Sequence, residues 1–335
     1  MTKQIRVGKI KIGGKAPVVI QSMAKTDTRD VSATVRQIKE LEKAGCEIVR
    51  VAIKDFQAAR AIKKIRKRIN IPLVADIHFD YRLAIEAIEN GADKIRLNPG
   101  NIHKEEQIRA VARAAKKRKI PIRVGINSGS LKNASAGNMV KAAIDYIKIL
   151  EKAGFYDIIV SLKASDVLTT IEAYRKFAKS SRYPLHLGIT AAGPASTGLV
   201  KSSIGIGALL LQDIGDTIRV SLTAHPCEEV VAAKNILQAL NLRNFGPEII
   251  SCPTCGRCQV DLQGIVARLS SRLEALGSRD VKIAVMGCEV NGPGEAKEAD
   301  IGIAFGKSAG VLFKKGKIVK RVKEKDAIKT LLRNI

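Results

Sequence analysis

Tryptophan is absent from this 335-residue chain, and aromatic residues of all kinds make up only 4% of it. With 46% hydrophobic residues, the core must be built from aliphatic side chains. The same shortage argues against a surface that stacks nucleic-acid bases. Long apolar runs are missing too. No stretch reaches the roughly eighteen residues that span a bilayer, and the amino terminus, Met1-Thr-Lys-Gln-Ile-Arg6, lacks the apolar centre of a signal peptide. These absences predict a cytoplasmic protein with no membrane partner. Acids are in deficit: 58 lysines and arginines face 32 carboxylates, a net charge of +26. Such an excess implies attraction to something anionic, whether nucleic acid, an acidic protein or a phosphorylated metabolite. Many of the lysines fall in helical stretches at 56–69 and 103–119, where they read as solvated faces.

Cysteines are few but clustered. Four of the six lie between 252 and 288, as Cys252-Pro-Thr-Cys255-Gly-Arg-Cys258 and, after a polar helix, Gly287-Cys288 in a glycine-rich turn. In a reducing compartment such spacing reads as metal ligation before it reads as disulfides. Two metals compete. Four thiolates would close a structural zinc site, whereas an iron–sulfur cluster accepts three thiolates and one unusual ligand. Cys288 has no second Cys-x2-Cys partner and glycines surround the thiols, which favours the cluster. Cys46 and Cys227 sit at helix boundaries and read as small buried hydrophobes.

The first 240 or so residues alternate short β-branched runs with amphipathic helical stretches. After a basic hairpin-like segment at 5–13, the runs are 17–22, 47–52, 72–77, 94–98, 121–126, 157–162, 184–189 and 217–222. Eight such units predict a TIM (β/α)8 barrel, with a doubly wound open sheet as the alternative. Residues 244–248, with Gly246 and Pro247, read as a linker. The remainder reads as a small α/β domain spanning 249–335: a helix at 262–276, strands at 281–286 and 301–305, a hairpin arm at 314–319 and a final helix at 326–332. A bound cluster would help so short a unit to fold.

Side chains alternate faces along a strand, and one parity collects Arg50, Asp76 and His78, Arg96 and Asn98, Arg123 and Asn127, Ser161 and Lys163, His186 and Thr190, and Arg219 and Ser221. All stand late in their runs or just beyond, where a barrel builds its active face. Four arginines and a lysine converging on one concavity call for an anion with two or more phosphates. Lys163 also admits a Schiff-base role. Rival readings are thus a zinc-stabilised nucleic-acid-binding protein, and a Schiff-base aldolase or pterin-binding barrel.

Several segments carry a closer likeness: Val19-Ile-Gln-Ser-Met23, Val74-Ala-Asp-Ile-His-Phe79, Ile95-Arg-Leu-Asn-Pro-Gly-Asn101, Arg123-Val-Gly-Ile-Asn-Ser-Gly-Ser130, Val160-Ser-Leu-Lys163, Gly215-Asp-Thr-Ile-Arg-Val-Ser-Leu222, Cys252-Pro-Thr-Cys255 and Gly287-Cys-Glu-Val-Asn-Gly-Pro-Gly-Glu-Ala296. In this order, over nearly the whole chain, they resemble the bacterial 4-hydroxy-3-methylbut-2-enyl diphosphate synthase family. The resemblance implies a barrel at 1–244 that binds the substrate diphosphate and a [4Fe-4S] domain at 249–335. It also implies an iron–sulfur oxidoreductase of the EC 1.17.7 type: two-electron ring opening and dehydration of 2-C-methyl-D-erythritol 2,4-cyclodiphosphate in isoprenoid biosynthesis. Reduced ferredoxin or flavodoxin would donate the electrons to a homodimer. By the same resemblance Cys252, Cys255 and Cys288 hold the cluster with Glu295 on the fourth iron, in place of Cys258. Arg50, Arg96, Asn98, Arg123, Asn127, Lys163, Arg219 and Ser221 would bind substrate, and Asp76, His78 and Glu295 would act in catalysis. One departure stands out. The family has Thr-Glu-Ala-Gly where this chain has Thr190-Ala191-Ala192-Gly193, and that glutamate is a candidate proton donor. Its loss implies a low-activity variant that traps its substrate, or another acid in its place.

Overall fold

The computed structural model describes residues 1–273, 280–290, 296–307 and 309–335. The chain divides into two compact units, Met1–Arg243 and Asn244–Ile335.

In the first unit a small hairpin, β1 (Ile5–Val7) and β2 (Ile10–Ile12), precedes eight parallel strands: β3 (Val19–Met23), β4 (Ile48–Ile53), β5 (Leu73–Ile77), β6 (Lys94–Leu97), β7 (Ile122–Asn127), β8 (Ile158–Lys163), β9 (His186–Leu187) and β10 (Thr217–Ile218). Their spatial order is β8-β7-β6-β5-β4-β3-β10-β9, and a parallel bridge from Val160 to Leu185 brings β8 against the start of β9. The eight strands thus form a nearly closed barrel, as the alternation predicts. The last two are shorter than their β-branched runs. At Gly188 the backbone turns to φ +151, a conformation that ends regular pairing.

Each strand feeds a helix: α1 (Val31–Ala44), α2 (Phe56–Arg66), α3 (Tyr81–Glu89), α4 (Glu105–Arg118), α5 (Ala136–Lys152), α6 (Val167–Ser180), α7 (Ala195–Leu210) and α8 (Pro226–Ala239). The starts of these helices are written in the sequence. Asp30, Asp55, Asp80 and Asp166 each accept a backbone N–H of the first turn, and such caps are worth about 1 kcal/mol apiece. His225 caps α8 in a reciprocal arrangement with Glu228, with Pro226 at the first position. The helices bury their apolar stripes on strands that are themselves covered on both faces, so the strands read as continuous apolar runs.

The barrel interior is layered. At its lower end Val19, Ile48, Val74 and Ile159 pack with Ile5, Val7 and Ile12 of the hairpin in one dry cluster. Above it lies a polar layer. Lys94 is fully buried and donates to Gln21 Oε1 at 3.0 Å, and His186 Nδ1 lies 2.7 Å from Thr217 Oγ1. The charged residues of the upper end come next.

The second unit is a five-stranded sheet in the order β11-β12-β13-β14-β15, comprising β11 (Glu248–Ser251), β12 (Lys282–Met286), β13 (Ile301–Phe305), β14 (Gly310–Lys314) and β15 (Lys317–Val322). The first three strands are parallel and the last two antiparallel. Ile283, Val285, Ile301 and Ile303 face α9 (Leu262–Leu273) and α10 (Ala327–Arg333) through Leu262, Ile265, Leu269 and Leu331. Ala284, Met286 and Ala304 form the smaller core of the opposite face. Two expectations are corrected. Residue 248, read as linker, already begins β11. The segment 314–319, read as one arm, contains the turn of the β14–β15 hairpin at Lys315 and Gly316, both with positive φ. The end of the helix expected at 262–276 lies outside the described residues.

Candidate active site

Parallel strands deliver successive inward side chains at one height. In register, Asp76 pairs with Arg96 and Arg96 with Arg123, while Gly125 meets Ser161 and Asn127 meets Lys163. At the carboxyl ends Asp76, Arg96, Arg123, Asn127, Ser161 and Lys163 line a cavity of about 230 Å³ with Met23, Arg50, His78, Thr190, Arg219 and Ser221. Asp76 is the one carboxylate among its lining residues, against four arginines and Lys163. Of the residues chosen from sequence, Asn98 stands apart. It is buried, but its Oδ1 accepts from the Gly100 N–H at 3.2 Å and the Ser130 hydroxyl at 3.3 Å. It orders the loop after β6 and does not line the cavity.

Asp76 organises the cations. Its Oδ1 receives Arg96 Nη1 at 3.1 Å, and its Oδ2 lies 3.6 Å from both Arg50 Nε and His78 Nε2. Burial pushes this carboxyl up, but the Arg50 charge, a hydrogen bond from His78 and the charges of Arg96 and Arg123 overcome it and hold the group well below the usual carboxylate range. For the cations burial dominates. It lowers Arg50 to about 9, with Arg219 and Arg96 adding repulsion against the Asp76 attraction. Burial likewise carries Arg123 and Lys163 well below their ordinary values, helped by their cationic neighbours. An arginine does not in practice lose its proton. These depressions instead express how costly the cluster is until negative charge arrives.

Two glycines make room for this crowding. A Cβ on Gly125 would stand 2.6 Å from Arg96 Nε, and one on Gly188 would stand 2.6 Å from Lys163 Nζ. Without side chains there, Arg96 lies flat across β7 and donates to the Gly125 carbonyl at 3.1 Å, and the Lys163 ammonium reaches under β9. Donors are left over. Arg96 Nε, Arg123 Nε and Nη1 and Arg219 Nε are buried without a hydrogen-bond acceptor, and such groups are rare in a folded protein. Converging, unspent guanidinium donors in a polyanion-sized cavity are the arrangement that grips phosphate oxygens.

Sequence reasoning missed Glu229. It is buried on α8, accepts the Leu222 N–H at 3.0 Å and the Ser22 hydroxyl at 3.4 Å, and lies 3.1 Å from Lys25 Nζ and 3.8 Å from Arg219. It holds Arg219 from behind. The only available signal was a second carboxylate directly after the capping glutamate. Met23 was missed also; its sulfur accepts from Arg50 Nε at 3.2 Å and Nη2 at 3.0 Å. Ala191 follows the cavity-lining Thr190, is exposed and takes φ +49. A larger hollow of about 790 Å³ opens at the amino-terminal ends of the strands, lined by Thr2, Lys179, Arg182, Asp213 and Asp216 among others. Its mixed charges do not converge: Asp216, for one, is already used by Thr2 and the Leu185 N–H.

In the second unit the thiols gather around the ends of two adjacent strands. Ser251 registers with Val285, so Cys252 follows β11 beside the Gly287-Cys288 turn that follows β12. The Gly287 N–H donates to Cys252 Sγ at 3.3 Å, and any side chain on Gly287 would collide with Cys258 Sγ. Cys288 is buried and Cys255 exposed. Among the described residues no group of three or more His, Cys, Asp or Glu lies close enough to hold a metal ion. Glu295 lies outside the described residues. The donor set nevertheless fits a thiolate-ligated cluster in kind: sulfurs with a backbone N–H directed at one of them and glycine beside another.

Residues 2–234 match the family described as GcpE TIM-barrel domain, and residues 248–335 that described as GcpE protein C-terminal domain. The chain is 55% identical over 343 residues to the 4-hydroxy-3-methylbut-2-en-1-yl diphosphate synthase (flavodoxin) of Caldanaerobacter subterraneus subsp. tengcongensis, covering 100% of this chain and 96% of that one. It is 56% identical over 342 residues to the protein of the same name from Thermodesulfovibrio yellowstonii, covering 100% and 98%. Among solved structures, the dihydropteroate synthase of Stenotrophomonas maltophilia superposes with a TM-score of 0.56 at 14% identity, over 72% of this chain and 98% of that one. That of Yersinia pestis gives 0.55 at 12% identity, over 72% and 100%. These two likenesses concern the barrel fold alone.

Proposed function

This chain belongs to the GcpE family of 4-hydroxy-3-methylbut-2-en-1-yl diphosphate synthases and is an oxidoreductase of isoprenoid biosynthesis, and we propose that its barrel mouth seats 2-C-methyl-D-erythritol 2,4-cyclodiphosphate for reductive ring opening. Membership of that family leaves the nucleic-acid-binding, aldolase and pterin readings without support. The carrying observation is the cavity itself, where Arg50, Arg96, Arg123, Lys163 and Arg219 outnumber the one lining carboxylate, Asp76, and buried guanidinium donors remain unspent.

The reaction takes up two electrons and two protons and releases the linear diphosphate and water. The arginines bind the diphosphate bidentately and keep hold of it after the ring opens, so charge is neutralised where the leaving oxygen stays attached to phosphorus. Asp76 fixes the Arg50 and Arg96 forks, and Glu229 fixes Arg219. Asn127, Ser161, Thr190 and Ser221 donate to the remaining oxygens. His78, exposed at the rim and 3.6 Å from Asp76, would pass a proton to the departing hydroxyl in a chain that carries Ala191. Cys252, Cys255 and Cys288, with Glu295 as the displaceable fourth ligand, would hold a [4Fe-4S] cluster, which when bound supplies electrons to the substrate. The protein works in the cytoplasm as a homodimer, with a flavodoxin as reductant. No described helix is long and apolar enough to cross a membrane.

The deciding experiment is iron and inorganic sulfide analysis of anaerobically prepared protein, joined to an assay for the linear diphosphate. Four irons and four sulfides per chain with product formation are expected of a [4Fe-4S] centre. A folded, colourless protein containing one zinc and forming no product would end the proposal.

A further inference from the structure

The cationic excess has a second focus, in the second unit. Between Lys307 and Ile335 the sequence has ten lysines and arginines but only two carboxylates, Glu324 and Asp326. Three of these cations, Lys317, Lys320 and Arg321, stand on β15, the edge strand of the second unit's sheet, where every residue from Lys317 to Arg321 is exposed and only Val322 is buried. Lysines on a free edge discourage strand-to-strand aggregation, which explains some of them. It does not explain the apolar pair in their midst: Ile318 is 70% exposed and Val319 51%. Beside this edge opens a cleft of about 470 Å³ lined by three cations, Arg257, Lys307 and Arg321, against one carboxylate, Glu289, with Cys288 also in its lining. Cys288, only 7% exposed, is one of the residues that line this cleft. Val290, 71% exposed, adds a further apolar contact at the rim.

We propose that this cleft and the adjoining β15 edge form the docking surface for an acidic electron-carrier protein of the flavodoxin type. The inference rests on the proposed function, which requires an external reductant. A positive rim around scattered apolar contacts suits a fast, transient encounter, steered by charge and sealed by little buried area. Electron-transfer complexes are of this kind, burying less than about 1,200 Å². Among the described residues that line the cleft none is aromatic, so bases find no platform there on which to stack. Each docking would let the reduced carrier's flavin give up one electron to the cluster that Cys252, Cys255 and Cys288 would hold, the carrier departing one electron more oxidised. Two dockings bring the two electrons of ring opening, and the two protons come from the substrate pocket and its solvent.

The test compares the full-length, cluster-loaded chain with the double variant Lys307→Glu/Arg321→Glu. A matched pair of reversals on α4, Lys116→Glu/Lys117→Glu, is the control. Calorimetric titration with oxidised bacterial flavodoxin at low salt measures docking without turnover. Steady-state assays then use reduced flavodoxin or, separately, dithionite with methyl viologen. The Kd and KM for flavodoxin should rise about tenfold in the cleft variant, with a flatter salt dependence, while viologen-driven turnover stays within about twofold. The α4 pair should leave flavodoxin binding unchanged. An unaltered Kd, an equal loss from both pairs, or a parallel fall with viologen would each overturn the docking surface. If the parent turns over with neither reductant yet loses flavodoxin binding only through the cleft variant, the docking surface stands and the assigned reaction fails.

Discussion

Replacing Asp76 by asparagine keeps its shape and removes the charge on which the barrel mouth is balanced. In the parent, Arg96 at 3.1 Å and Arg50 at 3.6 Å share this carboxylate, and all three groups are buried. Taking one partner from a buried ion pair costs about 3–5 kcal/mol, because the remaining charge is left uncompensated. For a unit the size of Met1–Arg243, where 1 kcal/mol moves Tm by about 2–4 °C, the barrel should melt roughly 6–20 °C lower. Inorganic diphosphate then supplies the lost negative charge. It stabilises the parent by about 2.7 kcal/mol at a hundred times its Kd, and it should stabilise the variant more. The pH dependence has a definite sign. The folded carboxyl lies below its unfolded value, so its contribution is complete above the unfolded pKa of about 3.9 and is lost only as pH falls towards the folded pKa. The gap in Tm should therefore be flat from pH 5 to 8. Thermal melts by fluorescence, with and without diphosphate, measure all of this. A variant melting within about 2 °C of the parent, or an equal diphosphate shift in the two, would refute the charge-balance account.

Three further outcomes are expected. Ala191→Glu should raise turnover at least about tenfold with little change in substrate affinity, as a proton donor acting only in the transition state does; equal kcat values would remove that position from the chemistry. Cys288→Ala should abolish the broad absorbance near 400 nm that bleaches with dithionite, whereas Cys258→Ala should keep it; the reverse pattern would exchange the ligand roles. Lys163 titrates well below its ordinary value because of burial and the nearby Arg123 and Arg219 charges, and a bound polyanion relieves that repulsion. Diphosphate binding above neutral pH should then take up protons, seen as a dependence of calorimetric enthalpy on buffer ionisation and diminished in Lys163→Met.

The eight barrel strands were legible because parallel strands covered on both faces leave uninterrupted β-branched runs. The cations at their ends were legible because strand alternation places every second residue inward. What escaped notice depended on contacts between distant parts of the chain. Glu229 matters through Ser22, which lies 207 residues earlier. Asn98 has the right parity, but the loop after β6 bends Gly100 back to claim its side chain. In the second unit Gly246 and Pro247 look like the middle of a linker, although β11 begins at Glu248. The turn at Lys315-Gly316 lacks the Asn-Gly or Asp-Gly pair that usually announces a two-residue hairpin. Glu295, the one proposed ligand that is not a thiol, lies beyond the described residues, and its place rests on the family resemblance.

The short hairpin at the start of the chain stoppers the barrel from below, its Ile5, Val7 and Ile12 seated on Val19, Ile48, Val74 and Ile159. Traffic must then enter and leave by the same upper doorway, past the same arginines. The opened diphosphate keeps the groups by which the ring was held, so it queues for its own predecessor's seat. As product accumulates it should therefore compete with incoming ring for that seat.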